Sequence, residues 1–149
     1  MLNFEKKIIE KHLVTGGAGF LGSHLVEKLM QSNQEVICLD NFFTGSKKNI
    51  QEWIQTPNFK LISQDVTEPI ILDVDKIWHF ACPGSPFHYQ SNPIETAKTN
   101  FLGTLNMLKL AQKTGAKLLF ASTSEIYVYP KINPQPENYF GNVNPNGIR

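Results

Sequence analysis

The sequence predicts an α/β fold built on one parallel sheet of strand order 3-2-1-4-5. Three observations predict it. Apolar runs alternate with stretches of helical spacing, a glycine-rich turn directly follows the first run, and an acidic residue closes the second.

The first strand is the short run His12-Leu13-Val14-Thr15, stopped by Gly16 and Gly17. From Gly19 to Ser32 the residues Phe20, Leu21, Leu25, Leu29 and Met30 fall near helical spacing, with Glu27 and Lys28 opposite, which predicts the first helix. Glu35 to Asp40 carries Val36 and Ile37 and precedes an Asn- and Gly-containing loop, so it reads as the second strand. The polar, amphipathic stretch Ser46 to Gln55 predicts a short helix. Phe59 to Asp65 and Lys76 to Ala81 are the third and fourth strands, the latter followed by the loop Cys82-Pro83-Gly84-Ser85-Pro86. A long helix then starts at Pro93, which suits a first helical turn, and runs to Thr114, where Gly115 ends it. Lys117 to Ser122 is the fifth strand, and the remainder, with Pro130, Pro134, Pro136 and Pro145, has little regular character.

Strands separated by helices imply right-handed crossovers, which fix the order. In such sheets a ligand binds beyond the carboxyl ends of the strands, where the order reverses. Gly16, Asp40, Ala81 and Thr123 all lie at those ends and should share one crevice.

At 149 residues the chain has the size of one domain, residues 1–149. Apolar residues make up 41% and charged residues 18%, close to globular averages, so a soluble protein is expected. A formal net charge of +1 gives no global field to draw nucleic acid or an anionic membrane, so neither is expected as a partner. Cys38 and Cys82 lie in or beside apolar segments and form no C-x-x-C pair, which predicts buried free thiols. The N-terminal MLNFEKKIIEKH lacks the apolar stretch of a signal peptide, which leaves a cytoplasmic location as the default.

The turn itself reads Gly16-Gly17-Ala18-Gly19-Phe20-Leu21-Gly22, a G-x-x-G-x-x-G between a strand and a helix. Glycines let the backbone approach a pyrophosphate with no Cβ in the way, and the helix N-terminus favours negative charge. This context predicts a Rossmann-type dinucleotide site. Asp40, at the end of the second strand, should accept hydrogen bonds from the adenosine ribose and repel a 2′-phosphate, which favours NAD over NADP, although Lys47 and Lys48 lie near. Asp65, placed at the end of the third strand, can meet the adenine amino group. Phe80 and Ala81 either wall the cofactor or belong to the core; periodicity does not separate the two. His24 and His79 have no Cys or carboxylate at ligand spacing, so no metal site is expected. His88 and Tyr89 either line a ligand pocket or pack a loop.

With TGGAGFLG at 15–22, NFFTG at 41–45 and DVTEP at 65–69, the chain resembles the extended short-chain dehydrogenases/reductases. HFACPGSPFHYQ at 79–90, KTNFLGTLNML at 98–108, ASTSEIY at 121–127 and NVNP at 142–145 make it similar, within them, to the UDP-glucuronate decarboxylases, or UDP-xylose synthases. The resemblance implies conversion of UDP-glucuronate to UDP-xylose with tightly held NAD, through a 4-keto sugar that loses CO₂. Carried across by motif, Gly16, Gly19, Phe20, Leu21, Gly22, Asp40, Asn41, Phe42, Thr44, Gly45, Asp65, Val66 and Thr99 would touch NAD. Lys98 and Asn106 would serve the UDP-sugar, Thr123 would hydrogen-bond the sugar C4 oxygen, and Glu125 would assist proton transfer.

The same resemblance places a catalytic Tyr, with a Lys four residues on, just beyond Arg149, together with a sixth strand and a C-terminal substrate portion. The expectation is therefore a fold truncated before that helix, with NAD binding, negligible turnover alone and an exposed fifth strand that lowers stability or drives association, as in a homodimer. Val128 and Tyr129 replace the family's Gly-Asp, and Asn146-Gly147-Ile148 replaces I-G-P. A non-catalytic NAD-binding or interaction module and a related nucleotide-sugar epimerase or dehydratase are the competing readings; Ser124 weakens the dehydratase, which places Asp before this Glu.

Overall fold

The computed structural model describes residues 9–127 and 129–142. The N-terminal stretch through Ile8, Val128 and the 146–148 departure lie outside the described residues. Along the chain come β1 (Lys11–Thr15), α1 (Phe20–Gln31), β2 (Glu35–Asp40), β3 (Phe59–Ser63), β4 (Lys76–His79), α2 (Pro86–Ser91), α3 (Pro93–Lys98), α4 (Thr104–Thr114) and β5 (Lys117–Phe120). The strands form one sheet in the order β3-β2-β1-β4-β5, parallel throughout, as the crossovers require.

Alternation along the strands sends side chains to two separate cores. Val14, Val36 and Cys38 meet Val26 and Met30 of α1, with Ile50 and Phe59 closing that side. Leu13, Leu39 and Ile77 meet Met107 and Leu110 of α4 on the opposite face. Both faces of the central strands are thus buried, which is why they read as continuous apolar runs.

Several boundaries differ from the sequence expectation. The stretch Ser46–Gln55 is not a helix but a short 3₁₀ turn at Lys47–Asn49 followed by turns. Tertiary bonds hold it there: the Ser46 amide and the Asn49 side chain both donate to the Ala18 carbonyl, and Ile50 inserts into the core. β3 stops at Ser63, the last ladder bond running from the Gln64 amide to the Asp40 carbonyl, so Asp65 lies beyond the strand rather than ending it. β4 stops at His79, beyond which the Phe80 amide is shared between the Thr15 carbonyl and hydroxyl and the Ala81 amide turns to that hydroxyl. Pro86–Ser91 is helical where only a loop was expected. The helix from Pro93 to Thr114 is continuous but opens into a π turn at Thr99–Gly103. There Gly103 packs so closely on Val66 that an added Cβ would stand 2.6 Å from Val66 Cγ1. Cys38 is buried and its thiol is pushed up to about 12 by that burial, but Cys82 is exposed, against expectation; both are free. Among the described residues no helix is long and apolar enough to cross a membrane.

Candidate functional site

A cleft of about 1060 Å³ opens across the carboxyl ends of the strands. Its floor is the turn between β1 and α1. Gly16 sits at φ 68°, a left-handed conformation open to glycine at little cost. Gly22, one turn into α1, lies so close to the Gly16 carbonyl oxygen that any Cβ there would overlap it. No side chain caps α1, and its first turn carries no acidic residue, so the amides at its start are left for an anion. Phe20 and Leu21, both well exposed, line the same floor.

Asp40 stands beside this turn, 7% exposed. Its Oδ2 accepts from the Ala18 amide at 2.9 Å and its Oδ1 from the Phe42 amide at 2.8 Å. The carboxylate thereby joins the end of β2 to the glycine turn. Asn41 donates to Asp65 at 2.6 Å, bringing the ends of β2 and β3 together. Burial raises the Asp65 carboxyl, but bonds from the Thr67 amide and hydroxyl and from Asn41 outweigh it and hold the group below the usual carboxylate range.

The far wall comes from the end of β4 and from the helices after it. Phe80 and Ala81 line the cleft, and both also pack on the adjoining cores. His88 and Tyr89 on α2 line it as well, and the His88 ring meets Phe43 edge-on at 5.8 Å, bridging the β2 loop and α2. Val66, Thr44 and Thr99 complete the expected lining. Asn92, Glu95, Thr96 and Asn100 also reach it; their polar character suits a helix face turned to solvent equally well, so the sequence carried no signal for them.

Five expected residues stand back from the lining, Glu125 among them. Phe42, at φ 60°, packs against the α1-side core, and Gly45 lies under Asp40. Lys98 pairs with Glu95 at 2.8 Å on the surface. Asn106 donates both amide hydrogens to the carbonyls of Val66 and Thr67, pinning the segment after β3 to α4.

Thr123 lies in the cleft beyond β5, with Ala121 and Ser122. Its hydroxyl accepts from the Glu125 amide at 3.1 Å, opening the 3₁₀ turn Ser124–Tyr127 that carries Glu125. Tyr127 and Lys131 stand four residues apart, a pair the sequence reading overlooked. Pro130 falls between them, Tyr127 stacks on Tyr139 at 5.9 Å, and the Lys131 amide donates to the Tyr139 hydroxyl, so the two share no helical face. Among the described residues no group of three or more His, Cys, Asp or Glu could hold a metal ion.

The sequence model of the NAD dependent epimerase/dehydratase family matches residues 12–147. The chain is 59% identical over 138 residues to UDP-glucuronic acid decarboxylase 3 of Arabidopsis thaliana, covering 92% of this chain and 40% of the relative. To UDP-glucuronic acid decarboxylase 1 of Danio rerio it is 58% identical over 137 residues, covering 92% and 33%. The chain therefore spans about 40% or less of the length of these relatives. Among solved structures it is similar to the UDP-glucose 4-epimerase of Thermus thermophilus in complex with NAD, with a TM-score of 0.71 and 30% identity over 88% of this chain and 43% of that one.

Proposed function

The chain belongs to the NAD dependent epimerase/dehydratase family, and from that premise we propose that its cleft binds NAD and serves the decarboxylation of UDP-glucuronate to UDP-xylose. The observation that carries the cofactor half is the uncapped α1 N-terminus, its glycine turn closed to any Cβ, beside the anchored Asp40 carboxylate. These residues fit a dinucleotide: amides and dipole for a pyrophosphate, a carboxylate for ribose hydroxyls. The likeness to UDP-glucuronic acid decarboxylases, at 55–60% identity, supports the substrate half.

Gly16, Gly19, Phe20, Leu21 and Gly22 would hold the pyrophosphate. Asp40, Asn41 and Thr44 would hold the adenosine ribose, with Phe42 and Gly45 shaping that loop from behind. Asp65 and Val66 would face adenine, and Phe80, Ala81 and Thr99 the remaining length of the cofactor. NAD supplies, when bound, a reversible acceptor for the hydride of the sugar carbon. Thr123 already accepts from the Glu125 amide, so its hydroxyl hydrogen is the one left to donate to a sugar oxygen. Glu125, in the turn that Thr123 opens, would move the proton to or from the decarboxylated carbon. Lys98 can leave an exposed pair with Glu95 at little cost to meet a phosphate. Asn106 has both amide hydrogens engaged, so it would meet the nucleotide sugar with its carbonyl oxygen or act by holding Val66 in place. We place this unit, residues 1–149, in the cytoplasm, working as a homodimer; half-exposed Leu119 and Phe120 on the outermost strand support the association.

Calorimetric titration with NAD tests the first half, and saturable binding is expected; no heat at millimolar NAD sinks it. Incubation with NAD and UDP-glucuronate, followed by chromatography and CO₂ capture, tests the second. UDP-xylose with CO₂ supports decarboxylation, whereas the 4-epimer of the substrate without CO₂ assigns an epimerase instead.

A further inference from the structure

The Thr15 hydroxyl is the hub of a buried network. It receives the Phe80 and Ala81 amides, each at 3.2 Å, and lies 2.7 Å from His79 Nδ1. Both lone pairs of the hydroxyl face incoming N–H groups, the Phe80 amide being shared with the Thr15 carbonyl at 3.2 Å, and this arrangement favours a hydroxyl hydrogen that points at Nδ1. We assign the matching tautomer, in which Nδ1 accepts and the ring hydrogen sits on Nε2, 3.3 Å from the Thr104 hydroxyl at the start of α4. His79 is 3% exposed and covered by the Phe120 ring at 5.8 Å. Burial pushes the ring down to about 4, so it stays neutral at ordinary pH.

The two ends of this chain belong to opposite walls of the cleft. Thr15 directly precedes Gly16, whose Cβ position is 3.0 Å from the Ala81 nitrogen. Thr104 follows the π turn that carries Thr99 and Asn100. We propose that His79 is a positioning residue that sets the separation of the two walls by tying the hydroxyl at the root of the glycine turn to the hydroxyl at the start of α4. The inference deepens the NAD-binding reading and rests on it for its effect on affinity; the tie itself does not. Neither Thr15 nor Thr104 belongs to the cleft lining, so removal of the Thr104 hydroxyl reaches a ligand through the groups behind the walls and not by direct contact.

The test is Thr104→Val beside Thr104→Ser in the whole chain. Thr104→Val should weaken NAD binding on the order of tenfold, about one lost hydrogen bond, and Thr104→Ser should restore it. Nitrogen-15 spectra of wild-type His79 should show a bare Nδ1 and a protonated Nε2 between pH 8 and 5, and amide exchange at Phe80 and Ala81 should quicken in Thr104→Val. A protonated Nδ1, or wild-type exchange in Thr104→Val, overturns the tie. Quickened exchange with unchanged NAD affinity overturns the positioning role. If the wild-type chain binds no NAD while the spectra and exchange behave as stated, the cofactor reading fails and the tie stands. Should Thr104→Val not fold, the wild-type spectra still decide the tautomer on which the tie depends.

Discussion

The two edges of the cleft are built differently. On the β1–β2 side each strand is closed on both faces, Leu13, Val14 and Cys38 being wholly inaccessible to solvent. On the β5 side Leu119 and Phe120 remain 44% and 49% exposed, and Thr123 and Glu125 beyond them are exposed as well. The glycine turn and Asp40, proposed for the cofactor, therefore stand on a framework fixed by two cores, whereas Thr123 and Glu125, proposed for the sugar carbons, stand past a strand end with a core on one side alone. On that assignment the cofactor contacts would be set by folding, and the contacts of Thr123 and Glu125 would depend on how well β5 is held.

The sharpest way to break this contrast is Gly22→Ala. Its new methyl must overlap the Gly16 carbonyl, a backbone atom with nowhere to go, so NAD binding should vanish in calorimetry and stability fall by on the order of 3 kcal/mol. Next, Leu13→Ala and Leu119→Ala compare the edges directly. Urea unfolding should show a loss of about 3 kcal/mol for the first and under about 1 kcal/mol for the second; equal losses would erase the difference.

Acid probes the buried edge. Burial holds His79 near 4 in the folded chain, below the ordinary 6.5, so the unfolded chain takes up its proton first as pH falls. The contribution of a neutral His79 is therefore complete above pH 6.5 and is lost between 6.5 and about 4, a span of roughly 3 kcal/mol. His12, also lowered by burial, acts in the same direction, so His79→Gln should flatten the measured pH dependence of stability only in part. The smallest effect is expected from Thr123→Val, which should shift stability by less than about 0.5 kcal/mol and leave NAD affinity unchanged while removing any product formation.

What the sequence made legible follows the same division. The strand order, the glycine turn and Asp40 could be read because turn chemistry and strand periodicity are local. α2 could not: Pro86-Phe-His-Tyr-Gln-Ser is a single short turn after Pro83 and Gly84, too brief for a periodic signal. The region from Ser46 to Gln55 misled because its amphipathic spacing is real, yet bonds to Ala18 and the burial of Ile50 decide its path. Asn106 is an exposed-looking polar residue in a helix, and nothing in its neighbours announces that it braces Val66 and Thr67. Long-range bonds between polar groups leave no period in the chain.

Asp40 carries a last consequence. A carboxylate on a mobile side chain gives up rotational freedom whenever it grips a ligand. With one oxygen on the Ala18 amide and the other on the Phe42 amide, this side chain has given up that freedom during folding, and each oxygen keeps a lone pair for a hydroxyl. If Asp40 takes the diol proposed for it, that diol would meet a preorganised acceptor, and its affinity would be reduced by no further ordering of the carboxylate.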